Sequence, residues 1–236
     1  NCCKIKPVRA RQLQSGRKEF VMKIGVLGTG ATGQTIGSKL VSLGHDVMLG
    51  SRDEANPNAV AWAKEEGHNA LYGTFMNAAE FGEIIFNCTL GSASMNALSL
   101  AGAASLKGKI LIDTSNPLDR STDTWTLTVC NTDSLGEQIQ RTYPDTKVVK
   151  SLNTVNANVM VDPSKLIEKT AVFVSGNDIE AKATVVMILR DWFGWKDIID
   201  LGNITTSRSV EMYVPLWHNL RTAISSQRFN IKIVTA

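Results

Sequence analysis

The segment Gly28-Thr29-Gly30-Ala31-Thr32-Gly33 follows directly on the apolar run Lys23-Ile24-Gly25-Val26-Leu27. Glycines at this spacing let a backbone turn sharply and approach a pyrophosphate closely. A helix starting there aims unpaired N–H groups at the phosphate oxygens. The chemistry is dinucleotide binding, which requires a strand before the loop and an amphipathic helix after it. Both are predicted: Ile36, Leu40 and Leu43 recur at helical spacing, and Gly44 stands where a C-terminal glycine should. The next predicted strand, residues 45–50, runs into Ser51-Arg52. An NAD site places a carboxylate about 20 residues after the first glycine, on the ribose 2′-hydroxyl. Here a hydroxyl and a guanidinium occupy that place, and the planar fork of Arg52 suits a 2′-phosphate. The cofactor expected is NADP(H). Asp53 follows at once, which leaves open an NAD site displaced by one residue.

In a doubly wound sheet ligands bind outside the carboxyl ends of the strands. Three further loops are therefore candidates: Thr89, Leu90 and Gly91; Asn116 and Pro117; and Asn153. Their backbone and amide groups could hold the nicotinamide ribose and carboxamide, although Asn-Pro also starts turns and Asn153 also suits a helix cap. Tyr143 and Lys147 share the spacing of a short-chain dehydrogenase pair, but Pro144 and Asp145 intervene just before a strand, so the two cannot share a helix face. Lys150 is a candidate general acid, with a solvated strand-end lysine as the plainer expectation. No nucleophile elbow, C-x-x-C or His/Cys metal spacing is present, and His45, His68 and His218 are scattered. No catalytic residue is assigned and no metal is expected. Oxidising an alcohol requires a base, whereas passing hydride between two rings requires chiefly that they be positioned. A site without an evident acid or base fits the second.

The elements that must position these loops alternate between strand and helix. After Arg52, Asn56-Pro57 reads as an N-cap and first helical turn, with helix to about residue 66. Strands are predicted at 69–72, 83–89, 109–114 and 147–152, with helices at 76–81, 93–106 and 135–143 and an irregular loop from Asn116 to about Asn131. Further on come a strand at 171–175 and a helix capped by Asn177 that buries Ile179, Ala183, Val186 and Met187. A short strand at 198–201 follows, then a last helix from about Thr206 carrying Val210, Val214 and Trp217 on one stripe, with a kink expected at Pro215. The fold class is α/β: a Rossmann-type doubly wound parallel sheet with a smaller C-terminal α/β segment. The organisation expected is an arm over residues 1–21, an NADP-binding domain over 22–155 and a smaller domain over 156–236.

The chain has 236 residues with an apolar content ordinary for a globular protein, and no run approaches a membrane span. Its formal charge of +3 is uneven. Lys4, Lys6, Arg9, Arg11, Arg17 and Lys18 against Glu19 give the first 21 residues a net +5, which leaves −2 for the rest. The folded part is not basic, so nucleic acid is not an expected partner. The first 21 residues lack apolar periodicity and are read as a disordered arm, either upstream of a natural start at Met22 or added outside the fold. Cysteine usage suits a reducing cytoplasm.

Residues 22–234 resemble the coenzyme F420-dependent NADP oxidoreductases and, more distantly, the cytosolic domain of STEAP-type metalloreductases. The matching pieces run in order through the core. They are Lys23 to Gly30, Leu49-Gly50-Ser51-Arg52, Ser151-Leu152-Asn153-Thr154, and Val174-Ser175-Gly176-Asn177-Asp178 with Ala181-Lys182. Asp200-Leu201-Gly202 and Ser207-Arg208-Ser209-Val210-Glu211 with Pro215-Leu216 complete them. The resemblance implies NADP binding through the glycine loop and Ser51-Arg52, a C-terminal segment closing over the nicotinamide, a small-molecule redox acceptor such as F420 or a flavin, and a homodimer. The chain departs from the family pattern at Asn56, where a second basic residue is usual, and at Leu90-Gly91-Ser92-Ala93, where a proline and a bulky residue are usual. Two other functions remain open at this level: a 3-hydroxyacid or imine reductase, with Lys150 as its acid, and a non-catalytic NADP sensor.

Overall fold

The computed structural model describes residues 10–11, 19–121 and 124–236. Of the arm expected over residues 1–21, only a two-residue antiparallel ladder is described, between β1 (Ala10–Arg11) and β2 (Glu19–Phe20); the remainder lies outside the described residues. From β3 (Lys23–Leu27) the chain alternates through α1 (Ala31–Ser42), β4 (Asp46–Ser51), α2 (Pro57–Glu66), β5 (Ala70–Thr74), α3 (Phe75–Phe81) and β6 (Ile84–Asn87). It continues through α4 (Gly91–Ala101), α5 (Ala103–Leu106) and β7 (Ile110–Asp113), then a small ladder of β8 (Leu118–Asp119) and β9 (Thr126–Leu127). The rest is α6 (Leu135–Thr142), β10 (Lys147–Ser151), α7 (Ala157–Met160), β11 (Ala171–Gly176), α8 (Ile179–Met187), β12 (Asp197–Gly202) and α9 (Ser207–Ala223).

The main sheet has eight strands in the order β12-β11-β10-β7-β6-β3-β4-β5. Strand order reverses between β3 and β6, which is the topological switch point where a crevice opens. Alternate residues of each strand face opposite layers. Ile24, Val26, Ile84, Phe86, Ile112 and Val149 pack with α1, α2 and α8 on one face. Leu27, Ile85, Leu111 and Val148 pack with α3, α4 and α6 on the other. The first of these cores continues without a break into Val172, Val174, Val185 and Trp195, so the strands of residues 156–236 extend the same sheet and share its core.

The sheet is doubly wound as expected but not parallel throughout. β11 runs antiparallel to β10. A parallel crossover needs a helix of several turns to carry the chain back. The connection from β10 to β11 holds only the single turn of α7 and a 3-10 turn at Pro163–Lys165, so the chain re-enters the sheet from the edge it left. Other local expectations shift as well. The helix predicted over 93–106 is divided at Gly102, whose positive φ of 86° ends α4. The irregular loop after Asn116 contains the β8–β9 ladder.

The cap of α8 is Asp178, not Asn177: its carboxylate accepts from the Ala181 N–H at 2.8 Å, while Asn177 Oδ1 accepts from the Ile204 N–H. This moves the buried stripe to Ala181, Val185, Ile188 and Leu189 and leaves Ile179 exposed. The Asn56 cap is as read, its amide oxygen accepting from Asn58 and Ala59 at the start of α2. α9 continues through Pro215, which has no N–H to give the Glu211 carbonyl. No helix among the described residues is long and apolar enough to cross a membrane.

Candidate functional site

The glycine loop joins β3 to α1 at the switch point, and each glycine has a separate steric reason. Gly28 has φ +116°, and a Cβ there would lie 2.8 Å from the Cys88 carbonyl oxygen. At Gly33 a Cβ would lie 2.1 Å from the Gly28 carbonyl oxygen, so only glycine lets α1 pack this close to its own loop. Gly30 is different: nothing stands within 4 Å of its missing side chain. It is the N-cap of α1 and supplies no side-chain acceptor to the first turn. Open space over unpaired helix N–H groups is a cradle for an anion, and it fits a pyrophosphate. Thr29 gives its carbonyl to the Gln34 side chain at 3.0 Å, and Ala31 and Thr32 line the cleft.

Ser51 and Arg52 stand beside this loop, because Leu27 and Gly50 are in register across β3 and β4. The Ser51 hydroxyl is buried and donates to the Asp53 carbonyl, so it can meet a ligand only as an acceptor. Arg52 is exposed and forms no ion pair among the described residues.

Across the switch point a cleft of about 770 Å³ opens between the loops after β6, β7 and β10 and helix α9. Thr89, Leu90, Gly91, Asn116 and Asn153 all line it, together with Trp125 and Trp217. Pro117 is buried behind them. At Gly91 a Cβ would lie 1.8 Å from the Asn116 carbonyl oxygen, which is how these two loops come into contact. Asn116 and Asn153 bond reciprocally, each amide donating at 2.9 Å to an oxygen of the other residue. The second amide hydrogen of Asn153 goes to the Val210 carbonyl in α9. Both hydrogens of Asn153 therefore clamp loops and helix together.

Lys150 is not the solvated residue expected. It is 1 % exposed, and its ammonium is 2.7 Å from Asp113 Oδ2, 2.7 Å from Glu211 Oε1 and 2.6 Å from the Ser115 carbonyl. All three N–H donors are used. Burial pulls its pKa down, but attraction to Asp113 and Glu211 outweighs burial and holds it above the ordinary 10.5. Such a group does not give up a proton near neutrality. Glu211 also accepts from the Leu135 and Gly136 N–H groups at the start of α6. Nearby, the bond from Arg208 lowers the Glu137 pKa, and this pair ties α9 to α6 a second time.

This polar centre was not legible as a site. Its one sequence signal is that three apolar strands end in polar residues in register: Asn87 opposite Asp113, and Asp113 opposite Lys150. Two further titratable groups that line the cleft are also shifted away from neutrality. Burial pushes the Cys88 thiol up to about 12, against a weaker lowering by Thr114. Hydrogen bonds from Ser121 hold Asp119 below its usual range, as a carboxylate. Tyr143 ends α6 while Lys147 pairs with Asp178 at 3.1 Å, so the dehydrogenase-like spacing brings nothing together.

Residues 23–117 match the family described as NADP oxidoreductase, coenzyme F420-dependent. A crystal structure from Arthrobacter sp. FB24, provisionally assigned as an F420-dependent NADP reductase, is 47% identical with a TM-score of 0.87, and the alignment covers 91% of this chain and 100% of that one. The chain belongs to this family. The F420-dependent NADP reductase of Methanothermobacter marburgensis is 27% identical, over 90% of this chain and 98% of its own. The metalloreductase STEAP3 of Rattus norvegicus is 29% identical over 82% of this chain, which spans only 36% of that protein's length.

Removing a single partner from a buried ion cluster strands the opposite charges and costs about 3–5 kcal/mol. Lys150→Ala is expected to lose that much stability in urea unfolding at pH 7, whereas Lys107→Ala, from the exposed pair with Asp145, should be inseparable from wild type. Because the folded-state pKa of Lys150 is raised, its contribution is whole below 10.5 and is lost as pH climbs through the folded value. The gap between wild type and Lys150→Met should therefore shrink at strongly alkaline pH.

Proposed function

We propose that this protein binds NADP(H) across the switch point and exchanges hydride with a deazaflavin such as coenzyme F420, or with a flavin-like acceptor, in the aromatic-walled part of the cleft. The observation that carries this reading is a Rossmann cradle opening into a cleft where the titratable groups with shifted pKa, Lys150, Cys88 and Asp119, are all moved away from neutrality. Lys150 has all its protons committed, Cys88 stays a thiol and Asp119 stays a carboxylate. When bound, NADPH supplies the hydride; the chain's own residues bind and orient. Gly30 and the first turn of α1 hold the pyrophosphate, and Arg52 and Ser51 receive the 2′-phosphate. The loops at Thr89 to Gly91, Asn116 to Pro117 and Asn153 floor the nicotinamide side. Residues 156–236 act as the smaller closing part, contributing Met160, Val214 and Trp217 to the cleft. Trp125, stacked on His218 and covered by Arg120, and Trp217, stacked on Phe229, give the cleft its aromatic walls, and the buried Trp217 indole N–H has no partner among the described residues. The 3-hydroxyacid or imine reductase reading loses its support with Lys150, the only acid named for it.

The same proposal includes a cytoplasmic setting, which suits the free thiols of Cys88 and Cys130, and a homodimer. Met212, Leu216, Leu220 and Ile224 recur every fourth residue along α9 and are all exposed, forming one apolar stripe.

Stopped-flow mixing of the NADPH-loaded protein with F420, FMN or FAD is expected to show oxidation of NADPH by at least one of them; inertness toward all three rejects hydride exchange. In the same preparation Arg52→Ala should weaken NADPH by about tenfold or more while leaving NADH nearly unchanged, and equal losses would remove the 2′-phosphate assignment.

Sedimentation velocity should show a dimer that Leu216→Glu converts to monomer; a wild-type monomer at micromolar concentration contradicts the α9 interface.

A further inference from the structure

The floor of the cleft at Thr89 is connected to Lys150 by a buried chain of hydrogen bonds whose direction can be read atom by atom. Asp113 is a carboxylate paired with the Lys150 ammonium, so both its oxygens can only accept. One of them receives the Asn87 amide at 2.8 Å and the Ser115 hydroxyl at 2.6 Å. This fixes the Asn87 side chain, because the reverse orientation would set its oxygen against the carboxylate. Its second amide hydrogen goes to Ser94 Oγ at 2.7 Å. Its oxygen therefore faces Thr89, whose hydroxyl lies 2.7 Å away. Two acceptors cannot share that distance, so the single hydroxyl hydrogen of Thr89 is spent inward on Asn87. Ser94 Oγ lies 2.8 Å from Thr89 Oγ1 and 3.2 Å from Ser115 Oγ; both of those hydroxyls have spent their hydrogens elsewhere, so Ser94 is the donor that the two share, with the shorter contact to Thr89.

We propose that the Lys150–Asp113 pair, acting through Asn87, polarises Thr89 so that it meets the bound cofactor solely as a hydrogen-bond acceptor. This rests on the dinucleotide reading above. With the adenosine phosphate beside β4, the nicotinamide half lies on the β6 side of the switch point, where Thr89 lines the cleft. The group selected is an N–H or O–H donor: the carboxamide amine or a ribose hydroxyl. Asn87, Asp113 and Lys150 are positioning residues, since none of them reaches the ligand in this arrangement. A site that could donate as well as accept would tolerate a cofactor bound with its carboxamide turned over. A site that only accepts rewards one orientation, and orientation decides which ring face is presented for hydride transfer.

The test is calorimetric titration with NADP+ and with its 3-acetylpyridine analogue, which has a methyl group in place of the amide NH2. Thr89→Val, which keeps the shape and removes the acceptor, should bind NADP+ about fivefold more weakly; Thr89→Ser should match wild type. Loss confined to NADP+ identifies the carboxamide as donor, and equal loss for both ligands identifies a ribose hydroxyl. Asn87→Ala frees the Thr89 hydroxyl to rotate and should also weaken NADP+. The double variant Asn87→Ala/Thr89→Val should bind no worse than Thr89→Val alone, because Asn87 acts only through Thr89. Additive losses would overturn the positioning role. Thr89→Val binding NADP+ as tightly as wild type would overturn the whole inference while leaving the dinucleotide site intact, whereas a wild type that binds no dinucleotide would bring down both. If Asn87→Ala does not fold, the serine and valine variants at position 89 decide the matter.

Discussion

A buried ammonium with two carboxylates at the carboxyl edge of the sheet is the constraint on which the rest of this structure depends. Lys150, Asp113 and Glu211 together carry one excess negative charge in a region with almost no solvent. Such a group persists only if every remaining lone pair and proton finds a partner. The partners come from three elements: α6, the end of β6 and the loop after β7. The start of α6 gives two N–H groups to Glu211, Asn87 and Ser115 give donors to Asp113, and the Ser115 carbonyl takes the third lysine proton. Strands β6, β7 and β10, the loop after β7, α6 and α9 are therefore held in one geometry by electrostatics, where apolar packing alone would allow sliding. Every loop that floors the cleft hangs from one of these anchored elements.

The balance of charge also separates two tasks. Ionised groups are gathered behind the cleft, where they set positions and directions. The cleft itself is lined mostly by hydroxyls, amides, aromatic rings and helix N–H groups, with Asp119, Arg120 and Arg221 as the charged lining residues among those described. A site meant to move protons places a titratable group, tuned toward neutrality, within reach of the substrate. Here the shifts go the other way: Lys150 and Cys88 are both raised, away from neutrality. The proposed hydride exchange asks for no more than this, since alignment of two rings would govern its rate and solvent would supply the net proton.

What was legible in the sequence followed from how local its cause is. The glycine loop, the α1 stripe of Ile36 and Leu40, the Asn56 cap and the contiguous apolar strands are fixed by residues within a turn or two of each other, and they stand as read. The direction of β11 was missed because it depends on what the connection from β10 lacks, not on the strand itself. The α8 cap was misplaced by one residue because Asn177 and Asp178 are both good caps, and only the tertiary bond from Ile204 to Asn177 decides between them. Lys150 was misread for a related reason. A lysine at a strand end is ordinarily solvated, and the carboxylates that bury it lie 37 positions upstream and far downstream in α9. The polar strand ends at Asn87, Asp113 and Lys150 were visible, but their alignment became informative only once the register was known.

Helix α9 shows how the anchored centre and the cleft are joined. Its first two turns are committed to the core: Arg208 pairs with Glu137, the Val210 carbonyl accepts from Asn153, and Glu211 pairs with Lys150. One turn later the same helix faces the cleft through Val214, Trp217 and Arg221. Pro215 lies at this boundary and leaves the carbonyl of Glu211 without its helical partner, so the backbone bond that would stiffen the junction is absent while the side chain of that residue is the most strongly held on the helix. The anchoring is thus transferred from backbone to side chain at the point where the helix changes role. A wall built this way stays in register with the glycine loop, because the sheet edge that positions Thr89 and Asn153 is also what fixes Glu211.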